Sequence, residues 1–126
     1  MLWIHGNAIT GTLPSELGNI SGLVRIDAID NQLRGTIPSE LAKLSHLERL
    51  NLSNNQLSGP IPSELANIPT LRTLQIERNS LTGDLTGICD ARPEIILYAD
   101  CEETSCLCCF VCCDTEDVCV IAFDNL

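Results

Sequence analysis

Along the first 88 residues, apolar and polar positions follow a pattern that returns every 24 residues. Asn7, Asn31, Asn55 and Asn79 mark the period, as do Gly11, Gly35, Gly59 and Gly83, and Pro14, Pro38 and Pro62. Between these markers Leu and Ile keep fixed offsets, most regularly in the unit Leu47 to Thr70, which carries Leu47, Leu50, Leu52, Leu57, Ile61, Leu65 and Ile68. A constant step of this length predicts a solenoid, whose units bury their apolar faces only against neighbouring units. Leu50 and Leu52 alternate with Arg49, Asn51 and Ser53, the period of two of a strand with one buried face. Equivalent strands of successive units are expected to pair in parallel.

The invariant polar positions fit the same scheme. Each Asn stands where the chain turns off the strand, and its amide offers donors and an acceptor to backbone groups that would otherwise be buried unpaired. The glycines are expected to relieve a backbone turn. The repeated Pro-Ser-Glu-Leu predicts a short helix on the opposite side, with Ser15, Ser39 and Ser63 capping free amides.

Units Leu23 to His46 and Leu47 to Thr70 are complete. The first lacks its opening Leu. The fourth, from Leu71, keeps register through Leu85 and then breaks, with Thr86 in the proline position and Cys89 where Leu17, Leu41 and Leu65 stand. A degenerate fifth strand is expected around Ile96 to Cys101, with Leu97 and Ala99 inward. The first unit begins in its middle and nothing covers Leu2, Ile4 and Leu13, so further repeats upstream are expected, and self-association of residues 1–126 alone.

The stretch LERLNLSNNQLSGPIPSEL carries the LxxLxLxxNxLxGxIP motif position by position and resembles the plant-type leucine-rich repeat. The resemblance covers about two thirds of the chain and implies an α/β solenoid: a leucine-rich-repeat horseshoe of about four 24-residue repeats, with a parallel sheet on its concave side. It also implies a non-catalytic recognition module for a protein or peptide held on that concave face. The segment ILYADCEETSCLCCFVCCD resembles the end of secreted or receptor-like leucine-rich-repeat proteins of diatoms and related algae, which implies an extracellular or cell-surface, membrane-linked protein in signal transduction. A purely structural end of a longer array is the alternative.

Outward strand positions form columns across the units. The first is Met1, Arg25, Arg49 and Thr73; the second Trp3, Asp27, Asn51 and Gln75, extended by Tyr98; the third His5, Ile29, Ser53 and Glu77; the last Gly6, Asp30, Asn54 and Arg78. Trp3, His5, Arg25, Asp27, Ile29, Arg49, Asn51, Ser53, Thr73, Gln75, Glu77 and Arg78 are therefore the candidate partner-binding residues, with Trp3 the type most often found at binding hot spots.

Composition divides the chain in two. Residues 1–88 hold six basic and eight acidic side chains, whereas 89–126 hold one basic and nine acidic ones and all eight cysteines. The expected organisation is a repeat array, 1–88, and an acidic cysteine-rich cap, 89–126. Cys89, Cys101, Cys106, Cys108, Cys109, Cys112, Cys113 and Cys119 are even in number and follow the last good repeat, where a solenoid needs a cap. Disulfides would hold such a cap together in an oxidising compartment; a soft-metal cluster around Cys109-x-x-Cys112 and free thiols are the alternatives. A net charge of −10 excludes a nucleic-acid or anionic-membrane partner. No apolar run approaches the roughly 20 residues of a membrane-spanning helix, and the N-terminus MLWIHGNAITG shows no signal peptide. The 3% aromatic and 44% hydrophobic content predicts an aliphatic core. Sequons at Asn19 and Asn51 are the glycosylation candidates, Asn51 falling in the middle of the candidate binding face. With two histidines, His5 and His46, far apart, no catalytic constellation forms; no enzyme, cofactor or resident metal is expected.

Overall fold

The computed structural model describes residues 1–4, 6 and 8–100, together with the backbone of three strands at 104–105, 111–113 and 119–121. His5 and Asn7 lie outside the described residues, as do the side chains of every cysteine except Cys89.

In chain order the strands are β1 (Leu2–Trp3), β2 (Thr10–Thr12), β3 (Arg25–Asp27), β4 (Gln32–Gly35), β5 (Arg49–Asn51), β6 (Gln56–Pro60), β7 (Thr73–Gln75) and β8 (Ser80–Asp84). Helix α1 (Thr86–Ala91) follows, then β9 (Ile96–Asp100), β10 (Thr104–Ser105), β11 (Val111–Cys113) and β12 (Cys119–Ile121). They form two sheets. The first has the order β1-β3-β5-β7-β9-β11-β12, parallel except for the antiparallel β11–β12 pair. The second is parallel, in the order β10-β8-β6-β4-β2.

The register of the first sheet is that of the repeat: Ile26 stands opposite Leu50, Leu50 opposite Leu74, and Leu74 opposite Leu97. These four, with Ala28, Leu52, Ile76 and Ala99, are essentially fully buried and form two stacked inner rows. Leu33, Leu57 and Leu81 make a third row from the second sheet. The second sheet was not anticipated, although its signal is present: in Gln32-Leu33-Arg34 only the middle residue is buried, the alternation of a strand.

Proline sets the third side. Short 3₁₀ turns span Ser15–Asn19, Ser39–Lys43 and Ser63–Asn67, each preceded by Pro14, Pro38 or Pro62 in extended conformation. The expected serine caps are absent. Each serine is the first residue inside its turn, and the turn closes on proline's own carbonyl, as when Leu41 N–H donates to Pro38 O at 3.2 Å. A 3₁₀ turn this short joins i to i+3 and leaves little for a side chain to cap. Gly18 sits where the next units carry Ala42 and Ala66. A Cβ there would lie 2.2 Å from Glu40 O, so the first two turns approach more closely than an alanine allows.

The asparagines join unit to unit. Asn55 Oδ1 accepts from Leu33 N–H at 3.1 Å, and its Nδ2 donates to Ala28 O at 2.9 Å in the preceding unit and to Leu52 O and Ser53 O in its own. Asn31 and Asn79 repeat this arrangement. The rungs therefore run from side chain to backbone. Gly35 and Gly59, at φ +79 and +80, take the left-handed conformation the turn requires.

The compositional shift after Ile88 falls inside α1, and repeat geometry continues through β9, where Leu97 and Ala99 are inward as expected. Cys89 is buried and disulfide-bonded. No helix among the described residues is long and apolar enough to cross a membrane.

Candidate binding surface

The outward columns are positioned by the first sheet. Arg25 pairs with Arg49 and Arg49 with Thr73; Trp3 pairs with Asp27, Asp27 with Asn51, Asn51 with Gln75, and Gln75 with Tyr98. Trp3 is 65% exposed and Arg25 is exposed, while Asp27, Ile29, Arg49, Thr73, Gln75, Glu77 and Tyr98 are half-buried. Arg49 Nη2 lies 3.8 Å from Asp27 Oδ2, a loose pair whose side chains are 42% and 27% exposed. A pair this open contributes little to stability.

Asn51 and Ser53 depart from expectation. Both are buried, at 2% and 1% exposure, because Asn51 Oδ1 accepts from Ser53 N–H at 3.1 Å and from Ser53 Oγ–H at 2.7 Å. The mutual bond turns the two side chains onto each other, against the alternation that should turn them to solvent. They present no surface to a ligand, and the Asn51 sequon presents no free amide to a glycan. Asn19 is exposed at the end of its 3₁₀ turn.

The last column leaves the sheet. Gly6, Asp30, Asn54 and Arg78 all have φ between +55 and +64, and Asn54 Nδ2 donates to Asp30 Oδ1. Asp and Asn tolerate this conformation because their short polar side chains bond locally, whereas Arg does so less readily. Exposed Arg78 is thus aimed by a turn residue.

Beside it, burial pushes the Glu77 carboxyl above its ordinary range; a hydrogen bond from its own backbone opposes this, the Asp100 charge adds to it and Arg78 opposes it. Asp100, which falls in the segment ILYADCEETSCLCCFVCCD, accepts from Arg78 N–H at 2.8 Å and from Asn79 N–H at 3.2 Å. One unit earlier the corresponding amides, Asn54 and Asn55, donate to the carbonyls of Glu77 and Arg78. Asp100's carboxylate therefore replaces the carbonyls that a regular following unit would supply. Its signals in the sequence were its place in that segment and an acid at the register position of Glu77, neither of which named its bonding partners.

Residues 22–81 match the family model described as leucine rich repeat. That stretch is a leucine-rich repeat, and the array has the leucine-rich-repeat solenoid fold. Solved leucine-rich-repeat structures resemble it closely. A chain of the BIR3–SERK2 complex from Arabidopsis thaliana is 38% identical with a TM-score of 0.64, over 66% of this chain and 45% of that one. The plant peptide hormone receptor RGFR1 in complex with RGF2 is 31% identical with a TM-score of 0.73, over 82% and 16%. The ectodomain of the membrane receptor kinase GASSHO1/SCHENGEN3 from Arabidopsis thaliana, in complex with CASPARIAN STRIP INTEGRITY FACTOR 2, is 28% identical with a TM-score of 0.73, over 82% and 12%. The leucine-rich repeat seen here thus spans less than half the length of each of these relatives. A search of curated proteins found no match.

Proposed function

We propose that this leucine-rich repeat is a non-catalytic recognition module for a protein or peptide, working outside the cell in a receptor-like or secreted protein, with its ligand on the outward, concave face of the first sheet. The observation that carries this reading is the set of in-register columns in which Trp3, Arg25, Arg49, Thr73, Gln75 and Tyr98 reach the surface as neighbouring rungs, about 4.8 Å apart. Two of the similar structures above hold RGF2 and CASPARIAN STRIP INTEGRITY FACTOR 2, which supports a peptide or small protein as ligand.

A displayed random-peptide library panned against the chain tests the reading. Enriched peptides are expected, with binding reduced about tenfold or more by the combined variant Trp3→Ala, Arg25→Ala, Arg49→Ala, in line with loss of a hot spot. No enrichment, or enrichment indifferent to that variant, favours the second reading, a structural end of a longer array; the observation on its side is that Asp100's carboxylate takes the place of the next unit's carbonyls at Arg78 and Asn79.

The cysteine-rich segment is read as a disulfide cap formed in an oxidising compartment, in keeping with bonded Cys89. Thiol counting on the unfolded chain should find no reactive thiols; eight reactive thiols with bound zinc would make it a metal cluster instead. Asn19 is the glycan acceptor, to be seen as a mass increment on secretion that Asn19→Gln removes.

A further inference from the structure

The irregular fourth unit opens a cavity on the side of the array. Ile96 pairs with Thr73, one residue short of the 24-residue period, and the chain reaches β9 from α1 through Arg92, Pro93 and Glu94. Between that link and the segment from Pro69 to Arg72 lies a cavity of about 580 Å³, lined by two arginines, Arg72 and Arg92, with apolar surface from Pro69, Pro93, Ile95 and Ile96. Arg92 Nη1 donates to Pro69 O at 3.0 Å, which anchors the guanidinium across the cavity. Its Nε–H is withheld from water and has no acceptor. Neither arginine forms an ion pair among the described residues, although Glu48 and Glu94 line the same cavity.

We propose that this cavity binds an aliphatic monocarboxylate, either a free acid or the terminus of a peptide chain. With Nη1 held by Pro69, the edge formed by Nε and Nη2 is the one that meets a carboxylate side-on through two parallel N–H···O bonds. Binding requires the guanidinium to turn about that anchor until this edge faces the cavity, where the incoming oxygen satisfies the orphaned donor. Arg72 adds positive charge from the opposite wall, Glu48 and Glu94 disfavour a second negative charge on the ligand, and the proline and isoleucine surfaces take its aliphatic part. The cavity adjoins the end of the first outward column at Ile96 but includes none of the candidate partner-binding residues of those columns, and the proposal stands whether or not the columns bind a ligand.

The test is an NMR titration of the isotope-labelled chain with N-acetyl-L-leucine, with its uncharged match N-acetyl-L-leucinamide, and with the free-acid tripeptide acetyl-glycyl-glycyl-leucine. The two acids are expected to shift Thr70, Arg72, Ile95 and Ile96 saturably, with a dissociation constant on the order of 1 mM for ligands of this size. Arg92→Gln should weaken binding about tenfold or more, as should Arg92→Lys, which keeps the charge but loses the fork. Arg34→Gln, on the second sheet, should change nothing. Tighter binding of the tripeptide identifies a peptide terminus as the natural source, and tighter binding of acetylleucine a free acid. Equal binding of the amide, undiminished binding by Arg92→Lys, or no saturation below about 20 mM would overturn the proposal.

Discussion

The middle of the array and its C-terminal edge solve one problem by different means. Every strand leaves amides and carbonyls along its side that must be paired. In the middle the next unit's backbone pairs them: Asp30 N–H donates to Ser53 O, and Asn54 N–H to Glu77 O. The asparagines add buried bonds where the chain turns. At the edge the period fails, and side chains take over. Asp100 receives the amides of Arg78 and Asn79. Asp84 receives both N–H and Oγ–H of Thr86 at the head of α1, bonds that hold its carboxyl below the usual range. Arg92 straps to Pro69 O much as Thr70 straps to Ser45 O and Leu47 O. A repeat is satisfied by its copies; an edge needs particular residues.

The sharpest test of that contrast is Asn55→Ala, which orphans Leu33 N–H and several carbonyls inside the stack. A loss of about 3 kcal/mol in denaturant unfolding is expected; a loss below about 1 kcal/mol would mean that water does the same work and the middle is no different from the edge. Gly18→Ala follows. It restores the residue type of the other units yet forces a Cβ against Glu40 O, so it should destabilise by about 2 kcal/mol rather than stabilise as repeat averaging would suggest.

Asp100→Ala should cost less, about 1 kcal/mol, because the amides it exposes lie at a half-solvated edge where water is a partial substitute. The smallest effect is tied to pH. Burial raises the Glu77 carboxyl above its reference value of 4.5, so the folded state holds its proton more tightly than the unfolded one. The stability this provides is complete below pH 4.5 and is lost as pH rises through the raised folded value. Glu77→Gln cannot lose it, so the melting temperature of this variant should gain on the parent as pH climbs across that window. A constant difference between the two at every pH would show that Glu77 is not held out of water.

Several features were legible from periodicity. The inward rows at Leu50, Leu52 and their equivalents, the turn glycines at Gly35 and Gly59, and the inward Leu97 and Ala99 of a degenerate strand all follow from spacing alone. Spacing reports which way a strand residue points, however, and not what stands next to it. Asn51 and Ser53 occupy outward positions and are nevertheless buried, since each is the other's hydrogen-bond partner. The serine caps failed for a related reason: proline's carbonyl closes a 3₁₀ turn before any side chain is needed.

The sequence by itself determined the solenoid, its period, its aliphatic rows and the asparagine positions, because a pattern copied at a constant step has one economical way to bury its leucines. Only the tertiary structure decided which outward residues reach the surface, how closely the first turns approach, that Asp100's carboxylate takes the amides of Arg78 and Asn79, and that the fourth unit leaves a cavity beside Arg92. Those outcomes depend on distances between units. A period states that neighbours exist, but the identity of each neighbour, at a place where the copies differ, appears only once the chain is stacked.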